Sequence, residues 1–443
     1  MLFYAVLAEQ NPWWLLPGSP QALEYPARRD FHERLYSHAQ SDDRRALVVL
    51  GPRQVGKTVA LKQLVDRLRD AGWPPGNLTY FDFSDDRLVH PASPREVAGF
   101  EPPGVLPDKP RLLLLDEINR APRWQGWLKQ MVDSNRSLRV IATGSIAGAL
   151  RAGARESGQG RWDELRVAGL TYTEHLRFRA AIVGVSQGEV RRRFPNELQR
   201  YLALGGFPEH VSTDDLARAR ARIREDIADR AIARDLAESG VDVEGVRRLF
   251  AYLAAQSGAV FSARERARDL EVDERSIKSW LEHLSDAQLI GRLEQHTRGA
   301  ARLRTKPKIY AADHGMVAAF AASPDRRHDS EILARIVETV VFRHLRDPSG
   351  TAIDRLRYFR TDLHLEGDFV IAGDRKPLVV EVTSSTVVKP EKIRRVREVG
   401  EALRTSALFV VHLGIQTEER EGVRCVPLET FLLHPPMLEQ RDV

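Results

Sequence analysis

Residues 51–58 read Gly-Pro-Arg-Gln-Val-Gly-Lys-Thr, two glycines five apart in front of a lysine and a hydroxyl. Glycines at Gly51 and Gly56 let the backbone turn so that successive amide N–H groups point inward at phosphate oxygens, and a helix starting behind them adds its positive end. Lys57 would reach β/γ-phosphates as a point charge, and the Thr58 hydroxyl would ligate Mg2+. All eight residues, Gly51, Pro52, Arg53, Gln54, Val55, Gly56, Lys57 and Thr58, are candidate nucleotide contacts. A second station follows at Leu112-Leu113-Leu114-Leu115-Asp116-Glu117, a buried apolar run ending in two carboxylates. Asp116 would hold Mg2+ opposite Thr58, directly or through water, and Glu117 would polarise a water attacking the γ-phosphate. A third is Thr143-Gly144-Ser145, where Thr143 or Ser145 would hydrogen-bond that water or the γ-phosphate.

The elements that must position these groups are legible in the hydrophobic pattern. The apolar run Leu47–Leu50 leads into the glycine loop, and Val59, Leu61, Leu64, Val65 and Leu68 recur behind it at helical spacing until Gly72, Pro74 and Pro75. Leu78–Phe83, Leu112–Leu115 and Leu138–Ala142 read as strands, Glu164–Val167 begins another, and Pro91–Pro110 reads as a loop. Strands alternating with helical stretches predict an α/β fold, a parallel sheet with helices on both faces. Ligands of such sheets sit at the carboxyl ends of the strands, where Gly51, Asp116 and Thr143 all fall.

The chain has 443 residues, 42% hydrophobic and 29% charged, a balance that predicts a soluble globular protein of several domains. No apolar run approaches the roughly 20 residues of a membrane span, and the N-terminus lacks a basic signal-peptide region. The single Cys425 excludes intramolecular disulfides and Cys-ligated zinc and fits a cytoplasmic location. The net charge of +5 leaves two readings open, a nucleic-acid partner or an Arg-rich coding bias. Asn11-Pro12-Trp13-Trp14 either packs as a staple on the neighbouring domain or offers an indole to adenine.

Beyond Thr171 the pattern turns helical and Arg-rich, with a charged helix expected over Ala217–Gly240. Val246–Gly315 reads as three helices and a two-stranded wing, a winged-helix pattern. Arg264, Arg266, Arg268, Arg275 and Lys278 fall around its helix pair, and Arg298, Arg302, Arg304, Lys306 and Lys308 load the wing, which points to DNA; acidic Glu271, Asp273, Glu274 and Glu282 dilute that surface. Glu331–Val443 reads as a second α/β unit with a helix acid, Glu338, strands Tyr358–Arg360, Gly367–Ile371 and Leu378–Thr383, a basic helix Lys389–Leu403, and a final strand Ala407–Val411. That order resembles the PD-(D/E)xK nuclease fold, a restriction-endonuclease-like α/β domain. The resemblance implies Mg2+ on Asp368 and Glu381 and a lysine two residues beyond the glutamate; Thr383 stands there instead, with Lys389 or Lys392 as substitutes from the next helix.

The phosphate loop, LLLLDE at 112–117, IATGS at 141–145, LGGFPE at 204–209, IYAADHG at 309–315 and the EGDF…VEVTSS segment occur in the order found in AAA-type ATPases of bacteria and archaea that carry a C-terminal domain of unknown function. The chain resembles that family and, more broadly, the AAA+/STAND branch of P-loop ATPases. The resemblance implies ATP as ligand, Mg2+ as its cofactor, and Pro208 as a nucleotide contact through the element Gly206-x-Pro208. Arg161 is the candidate arginine finger. Taken together these patterns divide the chain into an N-terminal segment at 1–43 packing on the core, an ATPase domain at 44–175, a helical lid at 176–240, a winged-helix-like domain at 241–315 and a nuclease-like domain at 325–435. Three functions are open to such a chain: an ATPase that moves C-terminal partner-binding domains, an ATP-responsive DNA-binding regulator, and an ATP-gated nuclease. The partners expected are ATP, DNA, and another protein or a second copy of the chain, with no membrane.

Overall fold

The computed structural model describes residues 2–16, 27–87, 92–134, 137–144, 160–233, 241–297, 305–321, 329–346, 355–362, 365–372 and 376–435. The chain divides into two compact units, residues 1–168 with 181–184, and residues 169–180 with 185–443. Ser145, Arg298, Arg302 and Arg304 lie outside the described residues.

The first unit is built on five parallel strands, β1 (Ala46–Leu50), β2 (Leu78–Asp82), β3 (Arg111–Asp116), β4 (Leu138–Gly144) and β5 (Trp162–Arg166), in the order β2-β3-β4-β1-β5. Its helices are α1 (Leu2–Gln10), α2 (His32–Gln40), α3 (Lys57–Asp70), α4 (Pro94–Gly99) and α5 (Trp124–Ser134). Strands β1 and β3 are buried almost throughout, as expected of parallel strands covered on both faces. Leu112–Leu115 are all fully buried, and each such side chain contributes about 1.5–3 kcal/mol of burial. Helix α4 corrects the expected loop at 91–110. Ser93 accepts from the Glu96 N–H while the Glu96 carboxylate accepts from the Ser93 N–H, a capping box spelled by Ser-x-x-Glu.

The edge strand β2 would expose an unpaired backbone row, and the N-terminal segment covers it. Asn11 Nδ2 donates to Tyr80 O and Asn11 Oδ1 accepts from Tyr80 N, both at 2.7 Å, while Gln10 Oε1 accepts from Asp82 N at 2.9 Å. Trp13 and Trp14 donate their indole N–H groups to Leu78 O at 3.1 and 2.9 Å. Both rings are buried, Trp14 stacked on Phe100, so the pair is a staple and not an adenine platform.

After Ala168 the chain forms α6 (Tyr172–Val183), of which residues 172–180 belong to the second unit, then α7 (Gln187–Arg193), α8 (Glu197–Leu204) and α9 (Leu216–Arg222). Of the charged helix expected over 217–240, Ile223–Ala231 is a π-helix, and 234–240 lie outside the described residues. Next come α10 (Val243–Ala255), β6 (Ala259–Val260), α11 (Ala263–Asp269), α12 (Glu274–Asp286), β7 (Ile290–Leu293) and β8 (Lys308–Ala311). β8 lies between β6 and β7, antiparallel to both. Helices α13 (His314–Phe320) and α14 (Asp329–Leu345) lead to a mixed sheet of β9 (Leu356–Arg360), β10 (Glu366–Ile371), β11 (Leu378–Val382), β12 (Leu408–His412), β13 (Glu418–Arg420) and β14 (Val423–Pro427), ordered β13-β14-β12-β11-β10-β9. Helix α15 (Pro390–Leu403) joins β11 to β12, and α16 (Leu428–Leu433) closes the described chain. The strand expected to be last, 407–411, is therefore succeeded by two more. Their brevity and charge, Glu418-Glu419-Arg420 above all, hide them from a hydrophobic reading.

Candidate functional site

At the carboxyl end of β1 the chain turns through Gly51–Gly56 and enters α3 at Lys57. Gln54 (φ 63°) and Gly56 (φ 91°) both take the left-handed conformation. A Cβ on Gly51 would lie 2.6 Å from Val167 Cγ2 and 2.7 Å from Val167 O, so only glycine allows this close approach to the end of β5. Val55 is buried and anchors the loop in the core, whereas Pro52, Arg53 and Thr58 are half-buried and Gln54 is exposed. Lys57, itself buried, donates from Nζ to Gly51 O at 2.9 Å and Pro52 O at 2.8 Å. Its ammonium therefore lies within the loop it would serve.

The buried Arg29, which carries no signal in the sequence, braces the loop from outside. Its guanidinium donates to Val55 O and, at 2.8 Å, to Ala168 O. Because a peptide C=O and the following N–H point in opposite directions, holding Val55 O toward Arg29 turns the Gly56 N–H the other way.

The expected carboxylates stand two strands away. β4 lies between β1 and β3, and the 78–82 strand, which precedes β3 in sequence, is at the sheet edge. Asp116 ends β3 fully buried, with both carboxylate oxygens engaged: Tyr80 Oη donates to Oδ2 at 2.9 Å and Thr143 Oγ1 donates to Oδ1. The same Thr143 oxygen accepts from the Glu117 N–H at 3.1 Å. Glu117 adopts a left-handed φ of 50°, uncommon for a residue with a Cβ, which lifts its side chain off the strand direction. Its Oε2 is buried without a hydrogen-bond partner among the described residues. An orphaned carboxylate oxygen at the strand end suits a proton acceptor awaiting a substrate water. Asp82, level with Asp116 on β2, has its carboxyl pushed up by burial, and the charges of Asp116 and Glu117 push the same way.

One expected residue is displaced. Arg161 precedes β5, level with the start of β1, and so sits at the opposite end of the strands from the phosphate loop; its Nε meets Asp133 at 3.3 Å. It is not placed to touch a nucleotide on this chain's loop.

Pro208 belongs to the second unit and opens a single 3-10 turn, Pro208–His210. The preceding Gly206 N–H donates to both oxygens of buried Asp313 at 3.1 Å. Asp313 also accepts from Gly315 N at 2.8 Å and Arg343 Nη1 at 2.7 Å, so it ties the LGGFPE and IYAADHG segments into one buried network.

In the mixed sheet, Asp368 and Glu381 meet: Asp368 N donates to Glu381 Oε1 and Val382 N to Asp368 Oδ2, each at 2.9 Å. Of the two substitute lysines, Lys392 is the one that arrives, paired with Glu381 and 3.6 Å from Asp368. Lys308, read from sequence as part of a basic wing, is a correction. It is buried, 2.7 Å from Glu366, 3.7 Å from Glu338 and 3.9 Å from Asp368. Burial opposes its charge, but those three carboxylates hold its pKa above the usual lysine value. Burial and then the Asp368 charge push Glu381 up to about 7, and the same two causes push Glu338 up to about 7. Although burial opposes it, Lys392 and Lys308 hold Asp368 below the usual range. Among the described cations of the wing and helix pair, Lys306 pairs with Glu265, Arg266 with Asp269 and Lys278 with Glu274.

Against known families, residues 43–176 match the model described as "AAA domain". The match supports a P-loop ATPase. Residues 195–327 and 333–431 match two models, each described as a domain of unknown function. Proteins of Mycobacterium tuberculosis and Mycobacterium bovis, both described as uncharacterized, are 28% identical over 381 residues, 84% of this chain and 77% of theirs. A Haemophilus influenzae protein, likewise described, is 24% identical over 61% of this chain and 67% of its own. Among solved structures, the Aeropyrum pernix ORC2 protein in its ADP form is 12% identical, spanning 71% of this chain and 96% of its own, with a TM-score of 0.29. AMPPCP-bound DnaA of Aquifex aeolicus is 13% identical over 61% and 92%, with a TM-score of 0.27. Superpositions this loose say nothing about mechanism. No helix among the described residues is long and apolar enough to cross a membrane.

Proposed function

We propose that the first unit hydrolyses ATP and that the site is Lys57, Thr58, Asp116, Glu117 and Thr143 on the loop Gly51–Thr58 and the neighbouring strand ends. The observation that carries this is the Asp116–Thr143–Glu117 arrangement at the ends of β3 and β4, with β4 beside the strand that leads into a complete phosphate loop. The residues fit the nucleotide: the loop cradle tolerates no Cβ at Gly51, Lys57 is already inside it, and Glu117 keeps an oxygen without a hydrogen-bond partner among the described residues. Mg2+ held by Thr58 and Asp116 would neutralise phosphate charge. Lys57 orients the β/γ-phosphates, and Glu117 accepts the proton of the attacking water. Thr143 ties the Asp116 carboxylate to the Glu117 main chain, so it is placed to respond when the γ-phosphate leaves. Pro208 is proposed as a contact from beyond the core, on the family pattern alone.

Lys57→Ala should abolish binding of a fluorescent ATP analogue, and analogue binding at wild-type affinity would overturn the site. Measuring the ATPase rate with and without duplex DNA tests coupling to a nucleic acid; no change at low salt would remove DNA as the partner, leaving a protein or a second copy. The DNA-cleaving alternative rests on Asp368, Glu381 and Lys392 meeting. Their carboxylates are already compensated by Lys392 and Lys308. We read the cluster as a buried joint between β8, α14 and the mixed sheet.

A further inference from the structure

We infer that Tyr80 is a positioning residue for the proposed ATPase site, fixing the orientation in which Asp116 presents its carboxylate to the divalent cation. The inference rests on the proposed ATPase function and adds to it a residue outside the phosphate loop and the two strand-end motifs.

Tyr80 stands opposite Leu114 in the β2–β3 register, and Asp82 stands opposite Asp116. Side chains two apart on a strand share a face, so the Tyr80 ring runs along the sheet toward the strand ends and delivers its hydroxyl to Asp116 Oδ2 at 2.9 Å. Thr143 arrives from β4 on the other side and takes Oδ1. A carboxylate has two oxygens and about four lone-pair sites. With one donor on each oxygen, rotation of the group is blocked, and the remaining lone pairs face a fixed direction. Metal-ligating carboxylates are commonly oriented by such partners, which matter nearly as much as the ligands themselves.

Two further observations separate this from a tyrosine that merely fills space. First, the Tyr80 backbone is held on both sides, since Asn11 accepts from its N–H and donates to its C=O, so the phenol has little freedom to leave. Second, the phenol hydroxyl, protonated at neutral pH as tyrosine ordinarily is, points its O–H at Asp116 Oδ2, 2.9 Å away. A buried strand position could carry phenylalanine at no packing cost, as Phe81 does next to it. The hydroxyl is what Asp116 uses.

Tyr80→Phe keeps the ring and removes only the donor. Wild type and variant, as full-length chains, are compared for the Mg2+ dependence of ATP hydrolysis, for the ratio of rates in Mn2+ and Mg2+, and for binding of a fluorescent ATP analogue in EDTA. The Mg2+ concentration for half-activation should rise about tenfold, the scale seen when a partner of a metal ligand is lost. The Mn2+/Mg2+ ratio should shift, and analogue binding in EDTA should stay at the wild-type value. In an Asp116→Asn background, adding Tyr80→Phe should change the Mg2+ profile no further. A variant that melts lower but shares the wild-type Mg2+ profile and metal ratio would overturn the inference, because it would show a space-filling ring. If the wild type hydrolyses no ATP, the ATPase reading fails by itself. The inference is then read from the Mg2+-dependent part of analogue binding, where an unshifted midpoint in Tyr80→Phe overturns it and a raised one supports it.

Discussion

Glu117→Gln separates proton acceptance from every other property of the site. The substitution is nearly isosteric. The main-chain N–H that Thr143 accepts at 3.1 Å is untouched, and the left-handed backbone at φ 50° bears equally on either residue. Because Glu117 Oε2 accepts no hydrogen bond among the described residues, replacing it breaks none there in the resting protein. What is lost is the carboxylate's ability to take a proton from water. General-base assistance is worth about 10²–10⁴-fold, or about 3–5.5 kcal/mol on the barrier. Phosphate release at saturating ATP and Mg2+ should therefore fall by at least about a hundredfold, while the dissociation constant of a fluorescent ATP analogue stays within about twofold of wild type. Phosphate release at the wild-type rate would refute Glu117 as the base. A large loss of analogue affinity would instead assign it to ground-state binding.

Two further outcomes probe the rest of the chain. If the Asp368–Glu381–Lys392 cluster is a compensated joint, plasmid DNA incubated with wild type in Mg2+ or Mn2+ should be nicked no faster than with Asp368→Ala; nicking confined to the wild type would overturn the joint and establish a nuclease. His32 is fully buried, and burial, reinforced by Arg28 and Arg67, lowers its pKa to about 4. The folded chain thus stays neutral there while the unfolded chain takes up a proton below about pH 6.5, so this residue's contribution is complete above that pH and is lost on acidification. Relative to His32→Gln, wild-type stability measured by denaturant unfolding should fall by up to about 1.4 kcal/mol per pH unit from about 6.5 down to 4; parallel pH profiles would refute it.

Much of the first unit was legible because its chemistry is local. A glycine loop must stand where backbone amides can converge, and four leucines ending in Asp116-Glu117 can only be a buried strand delivering acids to its tip. These signals occupy consecutive residues, so no knowledge of the fold was needed to find Gly51–Thr58 or the acid pair. The helix at 94–99 is equally local, spelled by Ser93 and Glu96, but the prolines around it mask the signal.

The tertiary structure decided whatever depends on which strands become neighbours. Strand order put β4 between the loop and the acids, gave Thr143 its two bonds, and set Tyr80 beside Asp116 across 36 positions of sequence. It sent Arg161 to the far end of the sheet and drew Lys308 out of a supposed DNA-contacting wing into a nest of carboxylates. A lysine on a short strand reads the same in sequence whether it faces solvent or a buried acid, because charge is visible in a residue's identity and its compensation is not. The residues that can do chemistry were therefore written in the sequence, while the partners that orient or silence them were chosen by pairing between distant strands.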